Sequence, residues 1–108
     1  MHVLRRIFLI CLAVTWGLAV AGEAPTALVE IQGMSYNPQQ LSVSAGTTVR
    51  WENKEKRQYH NVWFKSLDEI EPEIFFPGEF YQRRFDTPGT YHYECGPHPE
   101  MKGTIYVK

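Results

Sequence analysis

The chain has 108 residues, with 11 Lys+Arg against 12 Asp+Glu and a formal charge of −1. That balance gives no electrostatic reason to expect nucleic acid as a partner. The length suits one compact domain with one core and leaves no room for a large, independent catalytic cleft.

In chain order, the sequence opens as an export signal. Arg5 and Arg6 form a basic n-region, Ile7 to Val20 is an almost unbroken apolar stretch, and Ala19-Val20-Ala21 is a small-x-small cleavage pattern. The apolar stretch, about 14 residues, falls short of the ~20 that span a bilayer. A cleaved signal over residues 1–21 is therefore expected rather than a membrane anchor, with a single domain over residues 22–108 and a periplasmic location. Arg5 and Arg6 leave with the signal, so 9 Lys+Arg face 12 Asp+Glu and the mature charge is −3. Cys11 leaves too, which makes Cys95 the one thiol of an exported protein. No intramolecular disulfide can form, and such a thiol must be buried, paired between chains or bound to something.

Short segments rich in Val, Tyr, Phe, Trp and Thr then alternate with turn residues, the pattern of an all-β sandwich or barrel. Strands are predicted at Ala27–Gln32, Leu41–Ser44, Thr47–Glu52, Asn61–Lys65, Phe80–Asp86, Thr90–Cys95 and Thr104–Val107. Val49 and Trp51 share one face of their strand, with Thr48, Arg50 and Glu52 on the other; Tyr91, Tyr93 and Cys95 likewise oppose His92 and Glu94. Reversals are predicted at Ser44-Ala45-Gly46, Phe76-Pro77-Gly78 and Thr87-Pro88-Gly89. Residues 66–74, acidic through Asp68, Glu69, Glu71 and Glu73, read as a connecting loop with room for one helical turn.

The chemistry concentrates in Cys95-Gly96-Pro97-His98-Pro99-Glu100-Met101, where a thiol, an imidazole and a thioether follow a strand end. Soft and borderline donors of this kind suit copper, whose blue centres take two imidazoles and a thiolate in a roughly trigonal plane with a long axial Met contact. The second imidazole must come from elsewhere. His2 leaves with the signal and His92 sits on the strand face opposite Cys95, which leaves His60. Each residue also has a purely structural reading: Cys95 as a small buried hydrophobe, His98 as a surface loop residue, His60 as a satisfied strand-edge histidine, Met101 as a core gap-filler. The spacing of His and Met at the third and sixth positions after Cys95 favours the metal. Pro97 and Pro99, with fixed φ and no N–H, stiffen the backbone on either side of His98.

These residues resemble the plastocyanin/azurin family of cupredoxins. The similarity runs from about Ile31 to Val107 and includes Met34, Tyr36, Pro38, Trp51, Asn53, His60-Asn61-Val62, Thr87-Pro88-Gly89-Thr90-Tyr91 and Cys95 to Gly103. The ligand loop is most similar to that of the amicyanins, then the pseudoazurins. The resemblance implies an eight-stranded Greek-key β-sandwich with one copper ion at one end, cycling between Cu(I) and Cu(II), and a steadying role for Asn61 at the thiolate and its loop. It implies that His98 is the exposed ligand, within an apolar patch of Met34, Pro97 and Pro99. It implies a monomeric one-electron carrier rather than an enzyme, with an amine dehydrogenase or other dehydrogenase as donor and a c-type cytochrome as acceptor. One departure stands out: from Asn53 to His60 the chain is a residue longer than in amicyanins, and Tyr59 stands where Pro often precedes the ligand. Lys54, Lys56 and Arg57 make this loop basic, a surface that could orient a partner. Two other functions compete: a fragment of a copper enzyme, opposed by a site with no open position, and a copper carrier or chaperone that hands over the metal itself.

Overall fold

The computed structural model describes residues 25–108; the expected signal, residues 1–21, lies outside them. Among the described residues there are seven strands: β1 (Thr26–Gln32), β2 (Ser35–Asn37), β3 (Gln40–Val43), β4 (Thr47–Asn53), β5 (Phe80–Phe85), β6 (Gly89–Glu94) and β7 (Lys102–Val107). They form a four-stranded sheet in the order β2-β1-β4-β5 and a three-stranded sheet in the order β3-β7-β6. The pairs β1–β4 and β3–β7 run parallel; the other three run antiparallel. The all-β sandwich expected from the alternation is what forms.

The period-2 pattern decides which side chains meet between the sheets. Thr47, Val49, Trp51 and Asn53 of β4 are all buried, and the residues between them are partly exposed. Trp51 stands at the centre, with ring centroids 5.4 Å from Tyr93, 5.7 Å from Tyr81, 6.2 Å from Phe64 and 6.5 Å from Phe85. Aromatic rings of this size supply much of the apolar area a domain this small can bury. Tyr93 and Cys95 are buried as the alternation of their strand requires, and His92 is exposed.

Two elements differ from the prediction. Asn61–Lys65 is not a strand: the segment makes only single bridges, His60 to Phe75 and Trp63 to Glu94. Its backbone groups are committed elsewhere, since the Asn61 N–H points at Cys95 Sγ and its carbonyl accepts from the Tyr36 hydroxyl. The second difference is β2, which pairs with β1 through a two-residue turn at Gly33-Met34, both with positive φ (64° and 56°). Such turns usually carry Asn-Gly, so Gly-Met gave no hairpin signal. The loop after Phe64 contains one 3₁₀ turn, Lys65–Leu67, as expected. Among the described residues, no helix is long and apolar enough to cross a membrane.

Strand directions set where the loops gather. β1, β4 and β6 end in the Gly33-Met34 turn, the long segment from residue 54 to 79 and the loop from residue 95 to 101. All three converge on one end of the sandwich.

Candidate metal centre

At that end, His60, Cys95 and His98 place one donor atom each within 4.8 Å of one another. The Nδ1 atoms of both imidazoles stand 3.7 Å from Cys95 Sγ. A first-row metal ion in a trigonal plane, about 2.0 Å from each nitrogen and about 2.3 Å from sulfur, would separate nitrogen from sulfur by about 3.7 Å. Both nitrogen–sulfur separations match those of a single metal ion held by all three donors.

Each donor is positioned by backbone bonds. The loop after β6 is closed by Cys95 N–H to Met101 O at 3.1 Å and Met101 N–H to His98 O at 2.9 Å. Met101 is thereby fixed beside the other three donors and is buried. His60 is held by a two-way bridge to Phe75, at 3.1 and 2.8 Å. Asn53, buried at the end of β4, organises the segment leading to it: its Nδ2 donates to Gln58 O at 2.9 Å and Phe75 O at 3.2 Å, and its Oδ1 accepts from Glu55 N at 3.0 Å.

Protonation states follow from burial. His60 is fully buried, and desolvation, partly opposed by Glu55, holds its imidazole below the usual range. Its Nε2 stands 3.2 Å from Glu55 Oε1, so the neutral ring carries its proton there and turns the Nδ1 lone pair toward Sγ. The same carboxylate oxygen accepts from Met34 N at 2.8 Å, tying the β1–β2 turn to this imidazole. Burial pushes the Cys95 thiol up, while the Asn61 N–H, 3.5 Å from Sγ, pulls it down. A cation at the site would displace the thiol proton, since the thiolate is the ligand form.

The sequence-predicted site residues come together in large part. His60, Cys95 and His98 converge, and Asn61 sits against the sulfur. Met34 adjoins through Glu55. Pro97 is half-buried, while Pro99, Lys56 and Arg57 are exposed. Among the described residues, Lys56 and Arg57 form no ion pair, whereas Lys54 pairs with Glu52 at 3.2 Å. Three contributors escaped sequence reasoning: Phe76, Glu55 and Glu71. Tyr59, noted for its place directly before His60, joins them at the site. The ring of Tyr59 lies 6.1 Å from that of His98 and 5.9 Å from that of Phe76, and both aromatics are exposed. Phe76 carried no sequence signal, since only the His60–Phe75 bridge brings it near.

A match to the copper-binding proteins of the plastocyanin/azurin family spans residues 25–108. This chain belongs to that family. Amicyanin-alpha of Methylorubrum extorquens is 36% identical over 97 residues, covering 84% of this chain and 81% of the relative. The crystal structure of amicyanin from Paracoccus versutus matches at a TM-score of 0.69 and 32% identity, over 83% of this chain and 88% of that one. A copper-containing nitrite reductase from Thermus scotoductus also matches, at a TM-score of 0.67 and 33% identity, but this chain covers only 23% of it. The family resemblance read from the sequence is thus confirmed, with the amicyanins among its nearest members. One copper ion is the family's cofactor, and His60, Cys95, His98 and Met101 are positioned as its ligands. The protein is a type 1 copper electron carrier of the cupredoxin fold.

Proposed function

We propose that this protein carries single electrons between redox proteins of the periplasm, with His60, Cys95, His98 and Met101 as the residues that would hold the copper and His98 as the port. The observation that carries this reading is the pair of Nδ1 atoms, each 3.7 Å from one buried sulfur. Copper held there supplies a Cu(I)/Cu(II) couple. The chain's part is to keep donors still: the closed loop from Cys95 to Met101, the His60–Phe75 bridge and the Glu55 bond to Nε2 leave little to rearrange between oxidation states. His98 is the half-buried imidazole of the pair, and the exposed rings of Tyr59 and Phe76 extend an apolar surface beside it. With Met34, Pro97 and Pro99 this is the patch against which a partner would dock as a monomeric carrier meets it, with Lys56 and Arg57 at its edge. A dehydrogenase donor, such as an amine dehydrogenase, and a c-type cytochrome acceptor fit this role. Four protein donors leave no open position for a substrate, which speaks against an enzyme.

The test is spectroscopic. The protein of residues 22–108 loaded with Cu(II) should show an intense thiolate-to-copper charge-transfer band, and Cys95→Ser should abolish it. A Cys95→Ser variant that keeps the band would defeat the assignment. The competing role, delivery of the metal itself, is separated by comparing electron self-exchange with copper exchange: a carrier of electrons swaps electrons far faster than ions.

A further inference from the structure

We propose that Glu71 is a positioning residue of the copper centre, reaching in from the acidic loop to set the Asn61 side chain and, through it, the backbone that presents the Cys95 sulfur. The inference rests on the copper reading above. Within the acidic run, Glu69 is engaged by Arg83, while Asp68, Glu71 and Glu73 are exposed. The Glu71 carboxylate nevertheless reaches the site. Its Oε2 accepts a hydrogen bond from Asn61 Nδ2 at 3.0 Å, and the same amide nitrogen donates to Pro72 O at 3.1 Å. A carboxylate and a carbonyl are acceptors only, so together they fix which end of the Asn61 amide faces them. The other end, Oδ1, must then face inward, where it accepts from Gly96 N–H at 2.7 Å. Gly96 directly follows Cys95, and the Asn61 N–H stands 3.5 Å from Sγ.

A second observation concerns Gly96 itself. A Cβ built on it would lie 1.9 Å from Glu71 Oε2 and 2.5 Å from Glu71 Cδ. The carboxylate is therefore seated directly against the ligand loop, in space that any side chain at position 96 would fill. Among the described residues Glu71 has no cationic partner within 4.0 Å. Its inward contacts are to Asn61 and this loop, which marks its role as geometric rather than as a surface ion pair.

The experiment compares Glu71→Ala with Glu71→Gln, which keeps an acceptor and removes the charge. In the metal-free protein, amide exchange of Gly96 should speed up about tenfold in Glu71→Ala, the loss of about one partly buried hydrogen bond to a charged acceptor, and return to the parent rate in Glu71→Gln. In the copper-loaded protein the charge-transfer band should shift in Glu71→Ala and recover in Glu71→Gln. Unchanged exchange and an unchanged band in Glu71→Ala would overturn the proposal, as would a Glu71→Gln variant that behaves like Glu71→Ala. Gly96→Ala offers an independent arm: it should expel Glu71 and speed exchange at residue 96 in the parent, yet add little in the Glu71→Ala background. Full additivity of the two changes would also overturn it. Should the parent lack the band altogether, the copper reading fails, while the exchange rates of the metal-free protein still decide the role of Glu71.

Discussion

The Tyr36 hydroxyl donates to the Asn61 carbonyl at 2.6 Å, in a fully buried contact that links β2 to the segment carrying the first metal-binding imidazole. Burial drives the Tyr36 phenol strongly up, so the group is a donor at every accessible pH. Tyr36→Phe keeps the ring and its edge contact with Tyr93 at 4.7 Å, but leaves a buried carbonyl without a partner. The expected cost is about 1–3 kcal/mol, read as a lower denaturant midpoint of the metal-free protein with an unchanged m-value.

Gly103 of β7 lies under the ring of Tyr93, where an added Cβ would fall 2.3 Å from both Cζ and the hydroxyl oxygen. The ring is held by Tyr36 on one side and Trp51, 5.4 Å away, on the other. Gly103→Ala should therefore destabilise by roughly 1–3 kcal/mol, the range for overpacking a filled core. Thermal unfolding of the metal-free protein measures it, and an unchanged midpoint would mean that the ring can yield.

Arg83 grips Glu69 with two bonds, at 2.8 and 2.7 Å, and Glu69 O also accepts from Trp63 Nε1 at 2.9 Å. The guanidinium holds the Glu69 carboxyl below its ordinary range. A carboxyl lowered by folding contributes stability above its unfolded value, about pH 4.3, and that contribution disappears as pH falls through the lowered folded value. Glu69→Gln should thus lose less than about 1 kcal/mol near neutrality, because both side chains are about a third exposed. Its stability should also fall less steeply than the parent's below pH 4. Parallel urea titrations at pH 7 and pH 3 would show this as two curves that converge in acid.

Lys56 and Arg57 project beside the proposed docking face. Replacing both with Glu should slow reduction of anionic hexacyanoferrate(III) by about tenfold at low ionic strength and speed the reaction of a cationic cobalt complex. Both effects should fade as salt shortens the screening length toward about 3 Å at 1 M. Rates that ignore the charge of the probe would remove the basic loop from any steering role.

How much of this was legible in the sequence depends on how local each signal is. Cys95, His98 and Met101 lie within seven residues, so their shared chemistry was visible before any fold was known. His60 needed elimination among four histidines, and Asn61 needed a family resemblance. Val49 and Trp51 revealed the inner face of β4 because burial and strand period coincide there. Asn61–Lys65 misled for the opposite reason: its apolar, β-prone residues are buried, but its backbone serves the sulfur and Tyr36 rather than a ladder. The roles of Glu55 and Glu71 were hidden because a surface-type residue whose carboxylate reaches a site carries no sequence mark. Only the convergence of three loops shows where those carboxylates point.

The two ligands His60 and Cys95 are 35 residues apart in the chain, on segments that follow strands of different sheets, β4 and β6, and Cys95 is the one cysteine among the described residues. An ion bridging them closes a covalent-like ring where the described residues form none by themselves. Treated as a cross-link of that span, it would remove about 4 kcal/mol of freedom from the unfolded state. The redox cofactor then doubles as the molecule's fastener, and loss of metal in the cell would loosen the whole sandwich and expose it to proteases.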